Sequence, residues 1–183
     1  MFRILLIDDE PMIKIGVRKL LEDTDYIIAG TANNGMEALE YLKTNSVDII
    51  MTDLKMPVMN GLELIHQLNA LSFDGAILVL SNYSDFELVR EALTAGALDY
   101  ILKTDMTRSR LLKYLDKISQ SLCLQRKKQV EAAEQALQQE QNSQKLLFAE
   151  MERALFTDGA LSANVQHFLT NSRESEARHG MML

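Results

Sequence analysis

Five polar residues stand where short apolar runs stop. The run Phe2 to Ile7 ends in Asp8-Asp9, Val47 to Thr52 ends in Asp53, Ala76 to Leu80 ends in Ser81, and Leu98 to Leu102 ends in Lys103. If the runs are neighbouring parallel strands, these side chains converge at the carboxyl end of a sheet, where open α/β sheets bind ligands. Three carboxylates in one pocket repel each other, and a divalent cation relieves that repulsion. Mg²⁺ suits such a pocket, because it takes oxygen ligands and is usually held by one or two carboxylates plus phosphate oxygens. A carboxylate can also attack phosphorus and form an aspartyl-phosphate. Lys103 offers a compact positive charge to a phosphoryl oxygen and Ser81 a hydroxyl donor to another. Taken singly, each residue has a plainer reading: a solvated loop or cap for the acids, a turn serine, a strand-end lysine. Their common placement at strand ends favours the joint site.

The elements that must position them alternate. Phe2–Ile7, Ile27–Thr31, Val47–Thr52, Ala76–Leu80 and Leu98–Leu102 are apolar nearly throughout, as strands buried on both faces are. Helical stretches lie between them. Pro11 suits a first helical position, and Asn34-x-x-Glu37, Asn60-x-x-Glu63 and Ser84-x-x-Glu87 each resemble a capping box. Gly61 and Pro57 punctuate the loop after Asp53. This alternation implies a parallel sheet with right-handed crossovers.

The 183 residues allow one ordinary domain plus an appendage. No apolar run approaches the ~18 residues of a membrane span, and no signal-peptide pattern opens the chain. Cys123 is the single cysteine, which excludes a disulfide framework and suits the cytoplasm. Residues 1–107 hold 17 acids against 8 bases, and residues 108–183 hold 9 against 11, for the overall −7. The acidic front argues against nucleic-acid binding there, and the tail is too dilute to be a nucleic-acid footprint. His66, His167 and His179 lack metal-ligand spacing, and Cys123 is expected to pack.

After Thr107 the character changes. Residues 108–156 contain neither Gly nor Pro. Leu111, Leu115, Ile118 and Leu122 are spaced 4-3-4; Val130, Ala133 and Leu137 resume the spacing out of phase, followed by Leu147, Met151 and Leu155, with Glu140 and Gln144 in the seam. A single helix here would run ~75 Å. It reads as a self-associating signalling helix or, alternatively, a polar linker. Thr157-Asp158-Gly159 breaks it, Leu161, Val165, Phe168 and Leu169 form a brief amphipathic pattern, and 172–183 are expected to be disordered.

The stretches LLIDDEPMIKIGVRKLLE, TANNGMEAL, VDIIMTDLKMPVMNGLELI and LSNYSDFELVREALTAGALDYILK stand in an order and spacing that resemble the receiver domain of bacterial two-component response regulators, over residues 1–125. The resemblance implies a flavodoxin-like five-stranded parallel sheet, order 2-1-3-4-5, with five helices and the last extended. It divides the chain into a receiver at 1–122, a helical linker or coiled coil at 123–156, and a short segment at 157–183 that starts a middle region. It implies Asp53 as phosphoacceptor, with Mg²⁺ held by Asp8, Asp9, Asp53 and the backbone carbonyl of Lys55. It makes Lys103 the lysine that pairs first with Asp53 and then with the phosphoryl group, and Ser81 with Tyr100 the switch pair. A sensor histidine kinase is the implied donor. The fourth helix, fifth strand and fifth helix, with the long helix, are the implied homodimer face. The wording SNYSDFEL…GALDYILK is most similar to the subfamily with an arabinose-regulator-type helix-turn-helix output. No such unit follows here, so the expected contact with DNA runs through an output domain outside this chain, which reads as a fragment or a truncated regulator. Thr104 stands where proline usually follows the lysine, which favours a trans bond. Asn82 and Lys55 are departures that bear on phosphoryl lifetime. Two rival readings are a phosphorylation-independent dimerisation module and a Mg²⁺-dependent aspartate-nucleophile phosphohydrolase. The second lacks its general-acid aspartate, because Lys55 occupies that place.

Overall fold

A computed structural model describes residues 1–82 and 85–156. Strands β1 (Phe2–Ile7), β2 (Tyr26–Ala32), β3 (Ile49–Asp53), β4 (Ala76–Ser81) and β5 (Asp99–Leu102) form one parallel sheet in the order β2-β1-β3-β4-β5. The helices are α1 (Pro11–Leu20), α2 (Gly35–Leu42), α3 (Gly61–Ala70), α4 (Phe86–Thr94) and α5 (Arg108–Phe156). The fold matches the expectation, and the strand order reverses between β1 and β3, the crevice such sheets use for ligands.

Strand alternation sorts the apolar residues into two cores. Leu5, Ile7, Ile50 and Val79 face Ala38 of α2, Leu64, Ile65 and Leu68 of α3, and Val89 and Ala92 of α4. Ile4, Leu6, Met51, Leu78 and Leu80 face Val17 of α1 and Leu111, Leu115, Ile118 and Leu122 of α5. This overturns part of the seam reading. Those four α5 residues are at most 3% exposed on the chain's own sheet. Each fully buried side chain contributes roughly 1.5–3 kcal/mol, so the stripe is fully used before any partner arrives. The domain holding them is compact over Met1–Gln125, and a second unit begins at Arg126. In that second unit Val130, Leu137, Leu146 and Phe148 are exposed. The side chain of Leu155 and the whole of 157–183, with its amphipathic pattern, lie outside the described residues. No described helix is long and apolar enough to cross a membrane.

Helix starts follow local chemistry with two corrections. Asn60 and Glu63 form a complete capping box, and Pro11 opens α1. At α2 the Asn34 side chain accepts from Glu37 N–H, but the Glu37 carboxylate reaches back to Asn33 N–H instead of Asn34. Ser84 lies outside the described residues, and α4 is preceded by Asp85, whose side chain does not cap it. His66 is exposed as expected, whereas Cys123 is exposed where packing was expected. No described peptide bond is cis, in keeping with Thr104.

The loop between β3 and α3 is the tightest part of the fold. Gly61 sits against the end of β3, where a Cβ would come 2.1 Å from the Asp53 carbonyl oxygen. A side chain there would have to push backbone, so glycine is required. Val58 has φ +67°, and Met59 N–H donates to Pro57 O at 2.8 Å, the rarer and strained form of γ-turn. A β-branched residue at positive φ is a steric outlier, and Val58 is 80% exposed, so no packing compensates. Val58→Asn is therefore expected to stabilise the protein by about 0.5–1 kcal/mol, because Asn tolerates positive φ far better. Urea unfolding checks this; a lower midpoint for the variant would contradict the strain.

Candidate functional site

Register brings the candidate residues together. Ile7 pairs with Thr52, Asp53 with Leu80, and Ser81 with Leu102. Asp8, Asp53, Ser81 and Lys103 therefore end four adjacent strands at one edge of the sheet. Asp8 N–H is fixed by Ala32 O at 3.2 Å, and the Asp8 Oδ1 carboxylate oxygen accepts Glu10 N–H at 2.8 Å. Asp53 Oδ1 accepts Leu54 N–H at 2.7 Å. The Lys103 ammonium lies 2.9 Å from Asp8 Oδ2, 2.9 Å from Asp53 Oδ2 and 2.9 Å from Glu10 Oε1. The contacts to Asp53 and Glu10 are hydrogen bonds; that to Asp8 Oδ2 is an ion pair whose geometry falls short of one.

The acidic cluster differs in one member from the sequence expectation. Oxygens of Asp8, Glu10 and Asp53 all lie within 4.8 Å of one another. Asp9 is exposed and instead lines a groove of about 380 Å³ with Lys55, Met56, Pro57 and Asn60. Glu10 was absent from the sequence-derived site. It stands directly before Pro11, which opens α1, and nothing in the sequence set it apart from Asp9. The hollows along α5 share no residue with this cluster.

Ser81 and Tyr100 share one face. Val79 is paired with Tyr100, and Ser81 lies two residues beyond Val79, on the side opposite Leu80 and Ile101. Ser81 is fully buried and Tyr100 is partly exposed at the rim. The Lys55 ammonium turns to Asp85 Oδ1 at 2.6 Å.

The electrostatics are uneven. Burial pulls the Lys103 ammonium down, but the hydrogen bonds it donates to Asp53 and Glu10, with its ion pair to Asp8, outweigh burial and hold the pKa above the ordinary lysine value. For Asp8, burial dominates and pushes the carboxyl up, with Lys103 offsetting only part. Among the described residues, two buried polar atoms make no hydrogen bond: Asp8 Oδ2, which is ion-paired with Lys103, and Ser81 Oγ. A buried carboxylate oxygen that accepts no hydrogen bond, within an all-oxygen set, fits a hard divalent cation, and a buried unpartnered hydroxyl fits an incoming acceptor oxygen.

A raised carboxyl pKa means that the folded protein binds this proton more tightly than the unfolded chain. Its favourable contribution is present below the unfolded value and is lost as pH rises through the folded one. At neutral pH the Asp8 charge is therefore a burden. Asp8→Asn is expected to raise Tm by a few degrees at pH 7, on the order of 1 kcal/mol. That gain should shrink as pH falls toward 4. Thermal unfolding of both proteins across this range checks it; a gain that grows on acidification would reverse the sign.

A family model for the response regulator receiver domain matches residues 4–116. The nitrate/nitrite response regulator NarL of Escherichia coli K12 is 43% identical over 113 residues, 61% of this chain and 52% of that protein. The chemotaxis protein CheY of Thermotoga maritima is 34% identical over 117 residues, 64% of this chain and 97% of CheY. Among solved structures, the receiver domain of AraT, a response regulator from Geobacillus stearothermophilus, superposes with TM-score 0.63 at 28% identity, covering 68% of this chain and 98% of that one. The chain spans about half the length of the first full-length regulators it matches. With the doubly wound sheet and a lysine set among carboxylates at its switch point, the match over residues 4–116 shows that the chain belongs to the response regulator receiver domain family.

Proposed function

We propose that this receiver works as a phosphorylation-operated switch in the cytoplasm, with Asp53 accepting a phosphoryl group from the phosphohistidine of a sensor histidine kinase. The observation that carries this reading is the Lys103 ammonium lodged 2.9 Å from both Asp8 and Asp53. That arrangement stores a positive charge where negative charge would build up during transfer. An Asp53 carboxylate oxygen forms a bond to phosphorus while the phosphorus–nitrogen bond of the donor breaks and its electron pair returns to the imidazole. Lys103 exchanges carboxylate contacts for a phosphoryl oxygen, so catalysis reduces to positioning and charge neutralisation. Mg²⁺, when bound, would neutralise charge on the phosphoryl oxygens. Asp8, Asp9, Asp53 and the Lys55 backbone carbonyl are the ligands we assign to it, with Glu10 a further acid within reach of the cluster.

The Ser81 hydroxyl, buried without a partner, is then drawn toward a new acceptor oxygen, and Tyr100, two register positions away on the same face, moves into the space released. Leu93, Leu98 and Tyr100 are exposed on the α4 and β5 side and form the homodimer face we propose; in the long helix, Val130 and Leu137 are exposed as a separate stripe open to self-association. The Leu111–Leu122 stripe takes no part, being buried in the chain's own core. We propose a transcriptional output, through a DNA-binding domain of the arabinose-regulator type joined to, rather than contained in, residues 1–183. The chain performs its own phosphotransfer and slow dephosphorylation but is not a turnover enzyme. A phosphohydrolase reading is disfavoured by Lys55, which stands where that chemistry needs its second aspartate.

Transfer from a labelled kinase, or from a small acyl phosphate, is expected to label the wild type and to leave Asp53→Ala unlabelled. Label persisting in that variant would refute the assignment. Ser81→Ala should remain folded, because it removes an unsatisfied hydroxyl, yet show weakened dimerisation after activation. Sedimentation velocity is expected to report a monomer without beryllofluoride and a dimer with it; a mass unchanged by beryllofluoride would refute the proposed face.

A further inference from the structure

The acid before α4 behaves unlike a capping residue. An Asp in that place ordinarily accepts from the first turn, worth about 1 kcal/mol. Asp85 makes no such bond. Its side chain is fully buried, its Oδ2 accepts Asn82 N–H at 2.9 Å, and its Oδ1 lies 2.6 Å from the Lys55 ammonium. Asp85 N–H in turn donates to Asn82 O at 3.1 Å. Asn82 and Asp85 thus clasp each other directly after Ser81, and the clasp is tied by charge to the loop directly after Asp53. A buried carboxylate needs compensation, and Lys55, itself 57% exposed, supplies it from the neighbouring loop.

We propose that the Lys55–Asp85 ion pair is a latch that sets the balance between the resting and switched arrangements of this receiver. The proposal rests on the receiver reading above and adds to it a pair of positioning residues outside the Lys103 cluster. In the arrangement seen here Ser81 Oγ is buried without a partner and Tyr100 is turned to the rim. For Ser81 to reach a group on Asp53, Ser81 and the adjoining Asn82 must shift, and Asn82 is what Asp85, held by Lys55, pins. The pair therefore contributes to the resting state and not to the switched one. An interaction present in only one of two states biases their populations by its full differential strength. Phosphorylation adds up to two negative charges two residues before Lys55, which competes with Asp85 for the same ammonium.

The test is a cycle of variants of the full chain, read by calorimetric titration with beryllofluoride in excess Mg²⁺. Asp85→Asn is expected to tighten binding about fivefold in the Lys55 chain and to have no effect in the Lys55→Met chain. In a Lys55→Arg chain, which keeps the ion pair, Asp85→Asn should again tighten binding. Equal tightening with and without Lys55 would overturn the latch, because it would reflect general charge alone. No tightening in the Lys55 chain would overturn it too. Should Asp85→Asn fold poorly, the exposed Lys55 still permits comparison of Lys55→Met with Lys55→Arg, where tighter binding by the Met variant supports the latch and equal binding overturns it. A wild-type chain that binds no beryllofluoride would overturn the receiver reading itself, and the latch with it.

Discussion

One buried ammonium governs the architecture of the site. Lys103 is almost enclosed and touches carboxylates from β1, from the start of α1 and from β3. Loss of a single carboxylate leaves Lys103 with two others, whereas removing the ammonium would leave three carboxylates with no compensating charge, and breaking a buried ion pair in that way costs about 3–5 kcal/mol. That is a large fraction of the 5–15 kcal/mol that typically separates folded from unfolded chains. The sheet must therefore deliver the ends of β1, β3 and β5 to within reach of one ammonium, and its parallel register does so. The same charge arrangement keeps the centre poised. Three carboxylates and one ammonium neutralise each other only partly, and the surplus negative charge is available to a cation.

The site is also where the chain gives up stability. Burial pushes the Asp8 carboxyl up, Ser81 Oγ lacks a hydrogen-bond partner, and Val58 adopts a backbone angle it disfavours. Gly61 is confined there because any larger residue would collide with the Asp53 carbonyl. The compensation lies elsewhere, in two apolar layers whose side chains are nearly all inaccessible to solvent. Natural proteins break local rules mainly at functional places, and the clustering of four such breaks around Asp53 is independent support for its importance.

Much of this was legible in the residues alone. Five apolar runs ending in polar groups gave the strands to within two residues, because a strand buried on both faces has a composition few other elements share. Lys103 and Asp53 were readable as neighbours for the same reason. Glu10 was not. Which of three consecutive acids turns inward depends on the dihedral path from β1 into α1, and the sequence spacing is identical for Asp9 and Glu10. The Leu111–Leu122 stripe was misread because the spacing 4-3-4 describes any amphipathic helix. A helix lying on its own sheet and a helix lying on a partner present the same pattern. Only burial separates them, and burial ends with Leu122, beyond which Val130 and Leu137 stand exposed.

Asp85 illustrates a deeper limit. Its place before α4 predicts a cap, and a capping residue would be interchangeable with Ser or Asn. The structure gives it a different task because Lys55 comes near only after β3 and β4 have paired. Tertiary contact thus converts a local signal into a link between two loops. Such a link can act in signalling only if it is weak enough to be outcompeted. The half-exposed Lys55 meets that condition, since solvent screens its end of the pair. The nearly enclosed Lys103 does not, and its ion pairs belong to the permanent frame of the site. On the proposed function, the two lysines would therefore divide the work by burial: the enclosed one would fix where phosphoryl chemistry takes place, and the exposed one would be free to respond to it.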